Sequence, residues 1–129
     1  MAWPWEIVER DHEIQNATSP EKIRLLGEHL RLTPASRVLD IACGKAGPAL
    51  ILASTFGCHI LGIELREGFA AEARTRIAAA GLESLIEVQA ADAATVPLEP
   101  GAWDVALCIG AAFVWGTIAD AAAALHPAV

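Results

Sequence analysis

Three carboxylates stand at comparable places in the chain. Asp40 closes the apolar run that opens VLDIACGKAGPALILA (38–53), Glu64 closes CHILGIEL (58–65), and Asp92 closes SLIEVQAAD (84–92). Small residues follow two of them: Ala42-Cys43-Gly44-Lys45-Ala46-Gly47 after Asp40, and Ala93 after Asp92. An ionised carboxylate only accepts hydrogen bonds, so it suits hydroxyls, amines and cations. A glycine loop that opens a helix offers backbone N–H groups and favours anions. The two chemistries conflict beside Asp40, and that conflict narrows what the loop can hold.

The elements that must position these acids follow from the chain's patterning. TSPEKIRLLGEHLRL (18–32) predicts a helix. Ser19 can cap it, Pro20 suits its first position, Glu21 favours its positive end, and Ile23, Leu26 and Leu30 share a face. Thr33-Pro34 is the expected stop. Strands are expected over 36–42, 58–65, 84–92 and 103–110, and helices over 48–57, 68–81 and 117–127. Gly57, Gly81 and Pro127 are the expected helix stops. Strands alternating with helices predict an α/β fold with a parallel sheet and helices on both faces. In such sheets, ligands bind beyond the carboxyl ends of the strands. Asp40, Glu64 and Asp92 are expected on that rim, together with the end of the fourth strand at Ile109-Gly110.

Two ligands are weighed for the rim. A dinucleotide would lay its pyrophosphate on Ala42-x-Gly44-x-x-Gly47, with Glu64 about 20 residues on to take ribose hydroxyls. Asp40 opposes this: two unit charges about 5 Å apart at an effective dielectric of about 20 repel by roughly 3 kcal/mol. S-adenosylmethionine carries no phosphate and has a sulfonium and an α-ammonium, which Asp40 would attract. Glu64 could accept both ribose hydroxyls, Asp92 the adenine amine, and the Ala93 N–H could meet a ring nitrogen. The acids favour the cationic adenosyl ligand, and an NAD-dependent oxidoreductase stays as the less favoured alternative.

With these residues in view, the sequence resembles the class I S-adenosylmethionine-dependent methyltransferases, and in particular a bacterial small-molecule methyltransferase group. VLDIACGKAG resembles the family's first motif, LGIEL its second-strand acid, and AADAATVPLEPGAWDVALCIGAAF its adenine-contact segment and fourth strand. HEIQNATSPEKIRLLGEHLRLTPASRVLD resembles the group's opening. The resemblance implies a Rossmann-like sheet in the order 3-2-1-4, lacking the last three strands of the family's order 3-2-1-4-5-7-6. It implies an N-terminal lid segment and helix over 1–35, and a cofactor-binding core over 36–129. It implies methyl transfer from S-adenosyl-L-methionine to a small-molecule acceptor, leaving S-adenosyl-L-homocysteine; a binding module without turnover is the alternative. Expected cofactor contacts are Asp40, Ala42, Cys43, Gly44, Glu64, Leu65, Asp92, Ala93 and Ile109. Ala42 and Ala46 stand where the family often has Gly; at Ala42 this is a mild change if its φ is negative. The open, apolar edge of the fourth strand is expected to pair, with a second copy or with a separately encoded second half.

Methyl transfer mainly needs proximity and alignment, so no conspicuous catalytic triad is expected. His12 is the candidate base on the acceptor side, within a segment that often folds over the cofactor in this family. Trp5 and Trp115, with Trp3, are candidates for an aromatic lid. Lys45 is read as a solvated loop residue that could reach a ligand carboxylate, and Trp103 as structural. HEIQN lacks the second histidine of a zinc motif, and no spaced Cys/His set predicts a metal.

The bulk properties agree with this reading. A net charge of −7 argues against a nucleic-acid partner. Hydrophobic residues make up 54% of the chain, but no apolar run reaches the length of a membrane span, and no signal peptide is expected. Cys43, Cys58 and Cys108 form no C-x-x-C pair, which suggests reduced thiols and a cytoplasmic location.

Overall fold

The computed structural model describes residues 4–129. The described part opens with a single helical turn, α1 (Trp5–Val8), followed by an irregular segment to residue 19. Helix α2 (Pro20–His29) begins as its sequence demands, with Ser19 Oγ accepting the Lys22 N–H at 3.3 Å and Pro20 in the first position. It stops before the expected Thr33-Pro34, because Arg31 adopts a left-handed φ of 54°.

The remaining elements are β1 (Arg37–Ile41), α3 (Gly47–Phe56), β2 (His59–Glu64), α4 (Glu67–Ala79), β3 (Ile86–Ala90), β4 (Val105–Leu107) and α5 (Ile118–Leu125). Among the described residues the strands form one parallel sheet in the order β3-β2-β1-β4, as expected. Gly57 caps α3 at a φ of 70°, a conformation that costs a residue without Cβ little. Thr117 and Asp120 form a reciprocal capping box at the start of α5. Pro127 does not end α5 directly; the α-helix stops at Leu125, and His126–Ala128 forms a 3-10 turn.

Strand periodicity divides the core. Val38, Ile60, Ile86, Val88 and Leu107 pack on one face with Ile23 of α2, Leu52 of α3 and Ala73 and Ile77 of α4. Gly27 lets α2 lie close on α3, since a Cβ there would collide with the Phe56 ring. Leu39, Ile41 and Ile63 face the other way, against Leu125 of α5, Val96, Leu98, Trp103 and Trp115. Two predicted strands prove shorter. β3 ends at Ala90, leaving Asp92 in a turn. β4 covers only 105–107 of the expected 103–110, because the Ile109 carbonyl accepts from Asn16 Nδ2 at 3.0 Å and Gly110 turns at a φ of 68°.

Candidate functional site: a cavity at the carboxyl ends of the strands

A cavity of about 560 Å³ opens where β1, β2 and β3 end and β4 crosses back beside β1. That volume lies within the ordinary range for small-molecule sites. Asp40, Ala42, Cys43 and Gly44 line it from the end of β1 and the loop after it. Glu64 and Leu65 line it from β2, Asp92 and Ala93 from beyond β3, and Ile109 from beyond β4.

The two acids on its floor differ in partners. Glu64 is 6% exposed, and each of its oxygens takes a backbone amide at 2.9 Å: Oε2 from Gly44 and Oε1 from Arg66. Asp40 is 3% exposed, and its Oδ2 has no hydrogen-bond partner among the described residues. Burial, and then the neighbouring charge of Glu64, push the Asp40 carboxyl up to about 7. Cys43 is buried beside them, its Sγ occupying the space that a side chain at Gly62 would need. Burial, then Asp40 and Glu64, push the Cys43 thiol up, which keeps it neutral and unreactive. Asp92 is exposed and shapes its own turn, Oδ1 accepting the Ala94 N–H at 2.9 Å.

The loop after β1 departs from expectation at Ala42 and Lys45. Ala42 and Ala46 both adopt left-handed φ, 53° and 64°. Such a conformation costs an L-residue about 1–2 kcal/mol, so Ala42 is not the mild change expected for negative φ. Ala46 is fully buried in the core and Ala42 lines the cavity. Lys45 is not solvated but 1% exposed. Its Nζ donates to the carbonyls of Glu9 (2.5 Å) and Arg10 (2.7 Å) and lies 3.4 Å from the Glu72 carboxylate.

Those carbonyls belong to the segment before α2, which also lines the cavity through Glu9, Gln15 and Asn16. Sequence reasoning missed these three residues. The available signal was the adjacent amides Gln15-Asn16 in a stretch with neither helical nor strand period, since such side chains must find partners elsewhere. Phe113, 74% exposed, and Val114 were missed as well. Trp5 lines the cavity, with the Arg66 guanidinium 5.9 Å from its ring centre. His12 is not part of the lining: its Nδ1 lies 2.6 Å from Glu9 Oε2, and Glu9 intervenes. Trp115 packs into the core beneath α5 instead of lining the cavity. Trp3 lies outside the described residues.

The fold and cavity define a Rossmann-like α/β protein whose cavity is lined by a buried carboxylate, Asp40, with one oxygen unpartnered among the described residues. Such an acceptor suits a ligand with a positive end and opposes a phosphate. The sequence model of the family described as a methyltransferase domain matches residues 38–129. The uncharacterised protein YjhP of Escherichia coli is 32% identical over 115 residues, which cover 89% of this chain and 46% of YjhP. A glycine/sarcosine/dimethylglycine N-methyltransferase of Actinopolyspora halophila is 34% identical over 90 residues, 69% of this chain and 16% of that enzyme. The crystal structure of an S-adenosylmethionine-dependent methyltransferase from Thiobacillus denitrificans, in complex with S-adenosyl-L-homocysteine, superposes with a TM-score of 0.89 at 32% identity. That match covers 100% of this chain and 52% of the other. The chain belongs to the class I S-adenosylmethionine-dependent methyltransferase family, which binds S-adenosyl-L-methionine. It spans about half the length of the structures it matches, and less than half that of the curated relatives.

Proposed function

We propose that this chain binds S-adenosyl-L-methionine in the cavity and forms the cofactor-binding part of an enzyme that methylates a small-molecule acceptor. The observation that carries the reading is the buried carboxylate of Asp40 on the cavity floor, whose Oδ2 has no hydrogen-bond partner among the described residues. When bound, the cofactor supplies a methyl group on a sulfonium, whose thioether is a good leaving group. The protein's part is to bind and align.

Asp40 attracts the positive end of the ligand. Each Glu64 oxygen keeps a lone pair beyond its backbone amide, enough to accept ribose hydroxyls. Asp92 and the Ala93 N–H serve the adenine edge, Leu65 and Ile109 offer apolar contact, and Ala42, Cys43 and Gly44 form the wall after β1. Trp5 and Phe113 rim the acceptor side. His12 acts there through Glu9 when the acceptor must lose a proton. The small-molecule acceptor is supported by the named activity of the Actinopolyspora halophila relative. The free thiols fit a reducing, cytoplasmic setting. Among the described residues, no helix is long and apolar enough to cross a membrane. The edge of β4, open among the described residues, is where a further strand adds, from the second half of the fold or from a second copy.

A second reading, cofactor binding without turnover, is favoured by the concentration of the candidate contacts on the cofactor side. Calorimetry with S-adenosyl-L-homocysteine and with NAD tests what the two readings share. S-adenosyl-L-homocysteine should bind and NAD should not; the reverse outcome defeats both.

A further inference from the structure

Among the described residues Lys45 is the largest fully buried side chain. A buried ammonium is costly unless its N–H groups are all used, and an apolar residue would fill the same space at lower cost. Its bonds all leave the sheet. Nζ donates to the carbonyls of Glu9 and Arg10 and pairs with Glu72 of α4. The carbonyls are the informative partners, because they belong to the segment that covers the cavity and contributes Glu9, Gln15 and Asn16 to its lining.

The rest of that segment is tied down in the same manner, by polar groups of the strand-end loops and α4. The Lys45 N–H donates to Gln15 Oε1 at 3.1 Å, and Asn16 Nδ2 donates to the Ile109 carbonyl at 3.0 Å. Arg76 Nη1 bridges the carbonyls of Glu13 (3.1 Å) and Lys45 (3.0 Å). Gly44, Gly47 and Gly110 leave the room: a Cβ on them would strike Gln15, the Glu13 carbonyl and Asn16, respectively. A roof held mainly by hydrogen bonds, over a cavity otherwise built on strand ends, can open without disturbing the core.

We propose that Lys45 is a positioning residue that latches residues 9–16 over the cavity, so that its hold on Glu9 and Arg10 sets how fast the cofactor exchanges. The proposal rests on the reading that the cavity binds S-adenosylmethionine. It adds a role for a side chain that touches the roof from the loop beneath it.

The test measures release of S-adenosyl-L-homocysteine by stopped flow from the full chain, together with tryptic cleavage after the exposed Arg10, read by mass spectrometry. Lys45→Met should release the ligand about tenfold faster or more, the equivalent of one charge-assisted hydrogen bond. Its Arg10 site should be cut whether or not ligand is present. A Lys45→Met protein that releases ligand at the wild-type rate, with Arg10 equally protected, overturns the latch and leaves Lys45 a packing residue. Where Lys45→Met does not fold, Arg76→Gln, at a partly exposed site, should speed release about threefold; an unchanged rate overturns the proposal. Where the wild type binds no S-adenosyl-L-homocysteine, the reading of the cavity fails, and ligand-free cleavage after Arg10 still tests the latch. Faster cutting in Lys45→Met supports it, and equal cutting overturns it.

Discussion

Asp40 and Glu64 stand at the carboxyl ends of neighbouring parallel strands, the penultimate residue of β1 and the last of β2; both line one cavity and are buried, yet the protein treats them in opposite ways. Glu64 has a backbone amide on each oxygen, one from the loop after β1 and one from its own turn into α4. It ties the two strand ends together before any ligand arrives. Asp40 has an oxygen with no partner among the described residues, and its carboxyl is pushed up to about 7. One acid is committed to backbone amides, and the other keeps an oxygen without a partner among the described residues. The contrast explains how a site can be both rigid and unsatisfied: the rigidity comes from Glu64, and the unsatisfied charge from Asp40.

The largest effect that can break this comparison is in the pH dependence of stability. The Asp40 carboxyl is raised from 3.8 to about 7, so its proton is retained in the folded protein where the unfolded chain has lost it. Its contribution to stability is therefore full below about pH 4 and is lost as pH rises through about 7. Asp40→Asn removes that loss, and the mutant should gain on the wild type by up to about 4 kcal/mol between pH 4 and pH 8. Urea unfolding at the two pH values measures it; a gap that does not change with pH would show Asp40 to be solvated or paired.

Glu64→Gln should act in the other direction. Its amide nitrogen would face one of the two backbone N–H donors, at a cost of about 2–3 kcal/mol. A fall of about 10 °C in Tm is expected for a chain of this size. An unchanged Tm would remove Glu64 from the scaffold and with it half of the comparison. The smallest effect sharpens the loop between the acids. Ala42→Gly relieves a left-handed alanine at φ 53°, against the greater freedom of glycine in the unfolded chain, for a gain of about 0.5–1 kcal/mol. A loss in denaturant midpoint would mean that the Ala42 methyl contributes packing that outweighs its strain.

The strand ends and their acids were legible in the sequence because each depends on local signals, whereas the strand order came from the family resemblance. Apolar runs closed by Asp40 and Glu64, and a helix stop at Gly57, place the strand ends without reference to distant residues. Where a strand end is decided by a remote partner, the reading erred. β4 stops short because Asn16, far earlier in the chain, takes the Ile109 carbonyl. Lys45 read as a solvated loop residue for the same reason: its burial requires the carbonyls of Glu9 and Arg10, which no local pattern brings to it. The φ of Ala42 was likewise hidden, since alanine is not the residue that a left-handed position suggests. The roof over the site was thus the least legible part, because polar side chains without periodicity announce that they bond to something without saying to what.

The central claim is that the charge on Asp40 selects the ligand, and calorimetric titration of the wild type and Asp40→Asn with S-adenosyl-L-homocysteine, at pH 8, tests it most directly. The ligand's α-ammonium should lose about 2–3 kcal/mol of interaction in Asp40→Asn, a fall in affinity of roughly 30- to 150-fold, while Asp40→Asn stays folded and at least as stable as the wild type. Equal affinity in the two proteins would contradict the account, because the buried carboxylate would then have no part in holding the ligand.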